Sequence, residues 1–143
     1  MNFLSTVAIL LSSYHRSEWI FSRGAHISIQ NKLEKLRTER ELTCVIIIDG
    51  EGNIIAQVGE TPEGEEFALY SPMVMETTRC MSLCGGFGEP VCNGVILTRG
   101  RILITHQATV KDEVIYTSLL CHKVPGGLLG LLNEITSYVE EAI

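Results

Sequence analysis

Leu42 to Ile48 reads LTCVIII, apolar and largely β-branched at nearly every position. That pattern suits a strand covered on both faces better than a half-exposed one and predicts a central place in a sheet. Asp49-Gly50-Glu51-Gly52-Asn53 follows, then the apolar run Ile54 to Val58. A short loop carrying Gly and Asn reaches the positive φ that a hairpin requires, so the two runs predict paired strands. Upstream, Ser22 to Ala25 (SRGA) reads as a break, after which Ile29, Leu33 and Leu36 recur at i, i+4, i+7 among Gln, Lys, Glu and Arg. This predicts an amphipathic helix from Ser28 to about Arg40.

Ser71-Pro72 places a capping residue before proline and predicts a second helix to about Cys84, ended by Gly85-Gly86-Phe87-Gly88 and Pro90. Three strand-like runs follow, Val91 to Thr98, Arg101 to Gln107 and Glu113 to His122, joined by short turns into a meander. Pro125-Gly126-Gly127 then opens a last helix whose apolar face is Leu128, Leu131, Leu132, Ile135, Tyr138, Val139 and Ala142.

The element order is therefore α-β-β-α-β-β-β-α, an α/β (α+β) class with a five-stranded antiparallel sheet, because hairpin connections force antiparallel pairing. The helix between the second and third strands is expected to cover one sheet face together with the terminal helices. Such a sheet keeps two open edges and one partly covered face, which would be sticky in a monomer. The second helix points the same way. Met73, Cys80 and Cys84 share one of its faces, and Val74 and Met81 lie on a neighbouring one, so a single covered face cannot bury them all. Its apolar and small positions, Met73, Val74, Met75, Thr77, Cys80, Met81 and Cys84, form the candidate dimer or partner interface. A mean hydropathy of +0.22 agrees with some apolar surface being reserved for an interface.

Composition narrows the partners. A length of 143 residues fits one core, and 45% hydrophobic with 20% charged residues fits a folded globule. The net charge of −6 argues against nucleic acid, whose affinity comes from clustered Lys and Arg. Glu60, Glu63, Glu65 and Glu66 gather around Pro62 and Gly64 in what reads as a solvated loop. The apolar run Phe3 to Leu11 lacks preceding Lys or Arg and is too short to span a membrane. Residues 1–24 are accordingly read as an apolar N-terminal extension, either a docking helix or upstream sequence counted as coding by mistake, residues 25–143 as the domain, and the compartment as cytoplasmic, with the odd count of five cysteines reduced.

No chemistry-bearing motif emerges. There is no GxxxxGK[ST], and Gly86-Phe87-Gly88 follows a helix instead of a strand, with Val91 where a third glycine would be needed. Cys80, Cys84 and Cys92 form C-x3-C-x7-C, which fits no common zinc pair, and His15, His26, His106 and His122 are scattered. These three cysteines remain the only candidate metal or redox cluster, though Cys84 sits toward a helix C-terminus that disfavours a thiolate. Asp112 and Glu113 read as a solvated bend, and His106 as a structural histidine. Neither a cofactor nor an enzymatic activity is expected.

The segment LTCVIIIDGEGNIIAQVGE at Leu42 to Glu60, with the helix, meander and amphipathic C-terminal helix that follow, resembles the roadblock family. That family includes dynein light-chain roadblock proteins and MglB-type regulators, and the resemblance covers about Ile27 to Ile143. It implies a profilin-like α/β/α layout and a homodimer whose sheets join, with the second helices meeting across the dimer. It also implies small Ras-like GTPases or larger scaffolding complexes as partners. The expectation is a non-catalytic dimeric regulator or scaffold that modulates a GTPase's nucleotide cycle, as a GTPase-activating protein would, or its localisation. The alternative is a thiol- or metal-based sensor. The resemblance transfers one element, Met73 to Cys84, as a contact region; the cysteine-rich second helix, its Gly-rich exit and the apolar head depart from the family's pattern.

Overall fold

The computed structural model describes residues 23–60 and 66–143, so the apolar head and most of the acidic loop lie outside the described residues. The elements are α1 (Arg23–Glu39), β1 (Leu42–Asp49), β2 (Ile54–Gly59), a short 3-10 helix (Glu66–Tyr70), α2 (Ser71–Cys84), β3 (Cys92–Ile96), a 3-10 turn (Thr98–Gly100), β4 (Ile102–Val110), β5 (Glu113–Cys121) and α3 (Leu128–Ala142). The five strands form one antiparallel sheet in the order β2-β1-β5-β4-β3. This is the α-β-β-α-β-β-β-α order read from the chain, and β3, β4 and β5 form the expected meander.

Two boundaries move by three residues or more. Helix α1 begins at Arg23, so the chain does not break at Arg23 to Ala25 and Ser28 is not the helix start. Gly24 is the only weak helix former there, and it falls in the first turn, where N–H groups lack intrahelical partners in any case. Strand β4 continues to Val110, past the expected end at Gln107. Lys111 and Asp112 then take left-handed conformations, φ 48° and 67°, which close a two-residue hairpin.

β1 dictates the layering, because it is buried on both sides. Val45 and Ile47 pack into one cluster with Ile29, Leu33 and Leu36 of α1 and Leu131, Leu132, Ile135 and Val139 of α3, while Ile46 and Ile48 pack into a second with Ala68 and Phe67. Helices α1 and α3 lie antiparallel on the first face, clipped at one end by Lys32 on Glu141 at 2.7 Å and at the other by Arg40 donating to the Gly126 carbonyl at 3.2 Å. Helix α2 does not join them: the α/β/α layout implied by the family resemblance holds, and the single shared face read from the connections does not. Helix α2 lies on the opposite face, because α1 and α3 already fill the first and the alternate residues of β1 demand their own cover. The result is an α/β/α sandwich.

Local chemistry holds the β1–β2 corner. The Asp49 carboxylate accepts the backbone N–H groups of Glu51 and Asn53 and the Asn53 side-chain amide, each at 2.9 Å. At the far end Gly59, φ +82°, lies so close to β1 that a Cβ would meet the Thr43 carbonyl and come within 2.8 Å of the Cys44 Cα.

Candidate interaction surface

Helix α2 is set on the sheet by two polar contacts. Ser71 was expected to cap the helix; instead Tyr70 holds the cap position without a side-chain bond, and Ser71 Oγ hydrogen-bonds Ser118 Oγ on β5 at 2.9 Å, both residues buried. Farther along, Asn93 Nδ2 on β3 donates to Thr78 Oγ1 at 2.9 Å. Ser118, Thr105 and Asn93 are directly opposed on neighbouring strands. The helix therefore runs across the strands along one row of the sheet. The spacing agrees: seven residues from Ser71 to Thr78 rise about 10 Å, and β5 to β3 is two strand spacings, also about 10 Å.

One consequence decides the shape of this surface. β3 is the edge strand, and α2 continues past Thr78 through Arg79 to Cys84, another ~9 Å. That last stretch overhangs the sheet edge by nearly two strand widths. Its flank is apolar and wet: Met81 is 69% exposed and Phe87 just beyond the helix 86%, while Ile96, 81% exposed, lies on the other face of the same edge strand, with Cys92. Leu83, Val91 and Val95 are exposed beside them. Scattered exposed apolar residues are ordinary, but a contiguous set at an unpaired strand edge marks an association site.

The expected interface residues separate here. Met73, Thr77, Cys80, Met81 and Cys84 face solvent, and Val74 is half-buried. Met75 is not available, since it lies one turn after Ser71 and is buried against the protomer's own sheet. Leu83, Phe87, Val95 and Ile96 were not foreseen. Phe87 stood in a Gly-rich stop signal, and Val95 and Ile96 look like core residues until the edge position of β3 is known.

The cysteines do not converge. Cys80 and Cys84 are exposed on α2, whereas Cys92 packs into the cluster on the far side of the sheet, beneath the terminal helices. Among the described residues no group of three or more His, Cys, Asp or Glu side chains is placed to hold a metal. Burial pushes the Cys44 thiol up to about 11 and also raises those of Cys92 and Cys121, so these behave as small apolar fillers. His106 is buried, and its Nδ1–H donates to the Val91 carbonyl at 2.8 Å, the structural role expected of it. Asp112 and Glu113 are exposed. Among the described residues no helix is long and apolar enough to cross a membrane.

No family model and no curated protein matches the chain. Solved structures do. The chain is similar to the gliding protein MglB of Thermus thermophilus at 12% identity and a TM-score of 0.68, over 89% of this chain and 96% of that one. An MglB with a tetrameric arrangement aligns at 14% identity and a TM-score of 0.63, over 89% and 93%. A Roadblock/LC7 domain from Streptomyces avermitilis aligns at 13% identity and a TM-score of 0.55, over 80% and 91%.

The chain has the roadblock fold. Likeness at these identities is one of backbone, and it agrees with the resemblance carried by Leu42 to Glu60 and by the element order. Among the described residues of this roadblock fold, the outer half of α2 and the free edge of β3 carry exposed apolar side chains.

Proposed function

We propose that the chain is a non-catalytic, homodimeric platform that binds a small Ras-like GTPase and modulates its nucleotide cycle or its localisation, in the cytoplasm. The observation that carries this reading is the overhang of α2 beyond an unpaired apolar edge strand. Were a second β3 to pair antiparallel with the first, the sheets would join, and each overhang would lie above the β3 and β4 strands of the other copy. The tetrameric MglB supports self-association in this fold. Residues 25–143 form the association unit in this reading, with 1–24 appended to it.

The GTPase half of the proposal rests on the roadblock resemblance. A platform of this kind acts by differential binding: it holds the switch segments of its partner in one arrangement and needs no acid, base or nucleophile of its own. The thiol-sensor alternative retains only Cys80 and Cys84, because Cys92 lies on the other side of the sheet.

Light scattering at micromolar concentration tests the first half, with a dimer expected. Co-purification with a Ras-like GTPase loaded with GDP or with a GTP analogue tests the second. Preference for one nucleotide state is expected, and equal retention of both would reduce the protein to a passive scaffold. Nucleotide-dependent binding that survives Cys80→Ser and Cys84→Ser together would dispose of the sensor reading.

A further inference from the structure

The row of the sheet next to the one beneath α2 is only partly covered by the described residues: Leu120 is buried, Leu103 half-buried and Val95 exposed. Leu120, Leu103 and Val95 are directly opposed on β5, β4 and β3, and all project toward the α2 side. Over this row lies an open cavity of about 250 Å³ lined by Phe67, Leu97, Leu103 and Leu120. Among the described residues its lining has no polar side chain. Small-molecule sites run to roughly 300–1,000 Å³ and carry a few placed polar groups to fix their ligand, so this one is both too small and too uniformly apolar for that use. It suits a single apolar side chain.

We infer that this cavity is the socket for Phe87 of a second copy of the chain, an inference that rests on the dimer proposed above. Three observations converge on that occupant. The first is reach. Were the β3 strands to pair antiparallel about Gly94, Asn93 of one copy would stand opposite Val95 of the other, and the row followed by one α2 would continue into the partly covered row of its neighbour. Thr78 lies over β3, the helix ends at Cys84 about 9 Å farther on, above the neighbour's β4, and Phe87 follows toward β5. Leu103 and Leu120 are the residues those two strands offer there.

The second is presentation. Phe87 is 86% exposed, yet its backbone is held: its N–H donates to the Ser82 carbonyl at 2.8 Å, and those of Gly85 and Gly86 donate to Met81 and Leu83 at 3.0 and 3.1 Å. The ring folds over Gly85, where any Cβ would overlap it. An aromatic ring fixed in solvent by a helix terminus is ordered in advance for a contact, which lowers the entropy lost on binding. The third is complementarity. An exposed aromatic anchor and an apolar pocket of side-chain size on the same chain form a self-complementary pair, as a two-fold interface requires.

The test is the monomer–dimer equilibrium of the full chain, measured by analytical ultracentrifugation for the parent, Phe87→Ala, Leu103→Trp and the double variant. Each single change is expected to raise the dissociation constant at least tenfold, one by removing the plug and the other by filling the socket. The double variant should be little worse than either, because both remove one contact. A dimeric parent whose constant is unchanged by Phe87→Ala overturns the socket and leaves the dimer standing. A parent that stays monomeric at 100 times micromolar concentration overturns both. Since Leu103→Trp could disturb folding, a second measurement uses Phe87→Cys and Leu97→Cys chains, each in a Cys80→Ser, Cys84→Ser background. A short bis-maleimide should join them into a covalent dimer when mixed and give much less from either alone. Equal yields from mixed and unmixed chains would also overturn the assignment.

Discussion

The two faces of this sheet are built from the same strands and finished differently. Beneath α1 and α3 the helices seal the sheet: Leu33, Leu131, Leu132, Ile135 and Val139 have no solvent exposure and pack against Val45, Ile47, Ile115 and Leu119. On the other side one helix crosses the strands along a single row, leaves an open hollow over the neighbouring apolar row and runs past the edge. Both faces are apolar, so hydrophobicity alone does not separate core from interface. What separates them is how far the described helices cover the surface beneath them, and on the α2 side that cover is partial.

The largest expected effect lies on the sealed face. Leu132→Ala should cost about 2–5 kcal/mol by urea denaturation, as large-to-small core changes do. Met81→Ala on the overhang should change protomer stability by no more than ~0.5 kcal/mol while weakening self-association. Equal losses at both sites would erase the distinction between the faces.

Gly59→Ala probes the edge opposite β3. A Cβ there meets β1 backbone, and φ of +82° is strained for any L side chain, so a loss of about 1–3 kcal/mol is expected. A stability equal to the parent's would mean that β2 can lift off β1 without penalty. Next in size is Ser118→Ala, which leaves the buried Ser71 hydroxyl without its partner. It should cost ~1–3 kcal/mol, with hydrogen exchange accelerated mainly in α2 and not in α1 or α3. Uniform acceleration would show that α2 is no separate layer.

The smallest effect belongs to the seam between the terminal helices. Tyr138 donates to Glu134 at 2.6 Å, and that bond, with burial and nearby carboxylates, pushes its phenol up to about 12. A folded-state value above the unfolded one, near 10, favours the neutral phenol in the fold. The contribution is complete below about pH 10 and lost as pH rises toward 12. Because the ring is substantially solvated, the slope should be shallow. Tyr138→Phe should flatten it and remove the latest tyrosinate step from an ultraviolet titration; an unchanged late step would assign that step elsewhere.

Much of the fold was legible along the chain because burial writes a period. The run Leu42 to Ile48 announced a strand covered twice, and the repeat from Leu128 to Ala142 announced a helix with one core face. The Asp49 to Asn53 turn carried its own chemistry in the Asp49 carboxylate. Ser71 misled, since a hydroxyl before proline looks like a cap whether or not a buried serine awaits it on another strand. Met75 misled for a related reason: helical spacing assigns side chains to faces but does not say which face meets the sheet.

By itself, then, the order of residues determined the elements, their antiparallel pairing and an excess of apolar surface on the second helix, all of which follow from short-range periodicity and turn geometry. Only the tertiary structure decided which residues of α2 meet the sheet, that β3 is an edge, that Phe87 is exposed, and that Leu97, Leu103 and Leu120 line an open hollow. Those facts depend on which strands become neighbours, a long-range choice that local patterns do not encode.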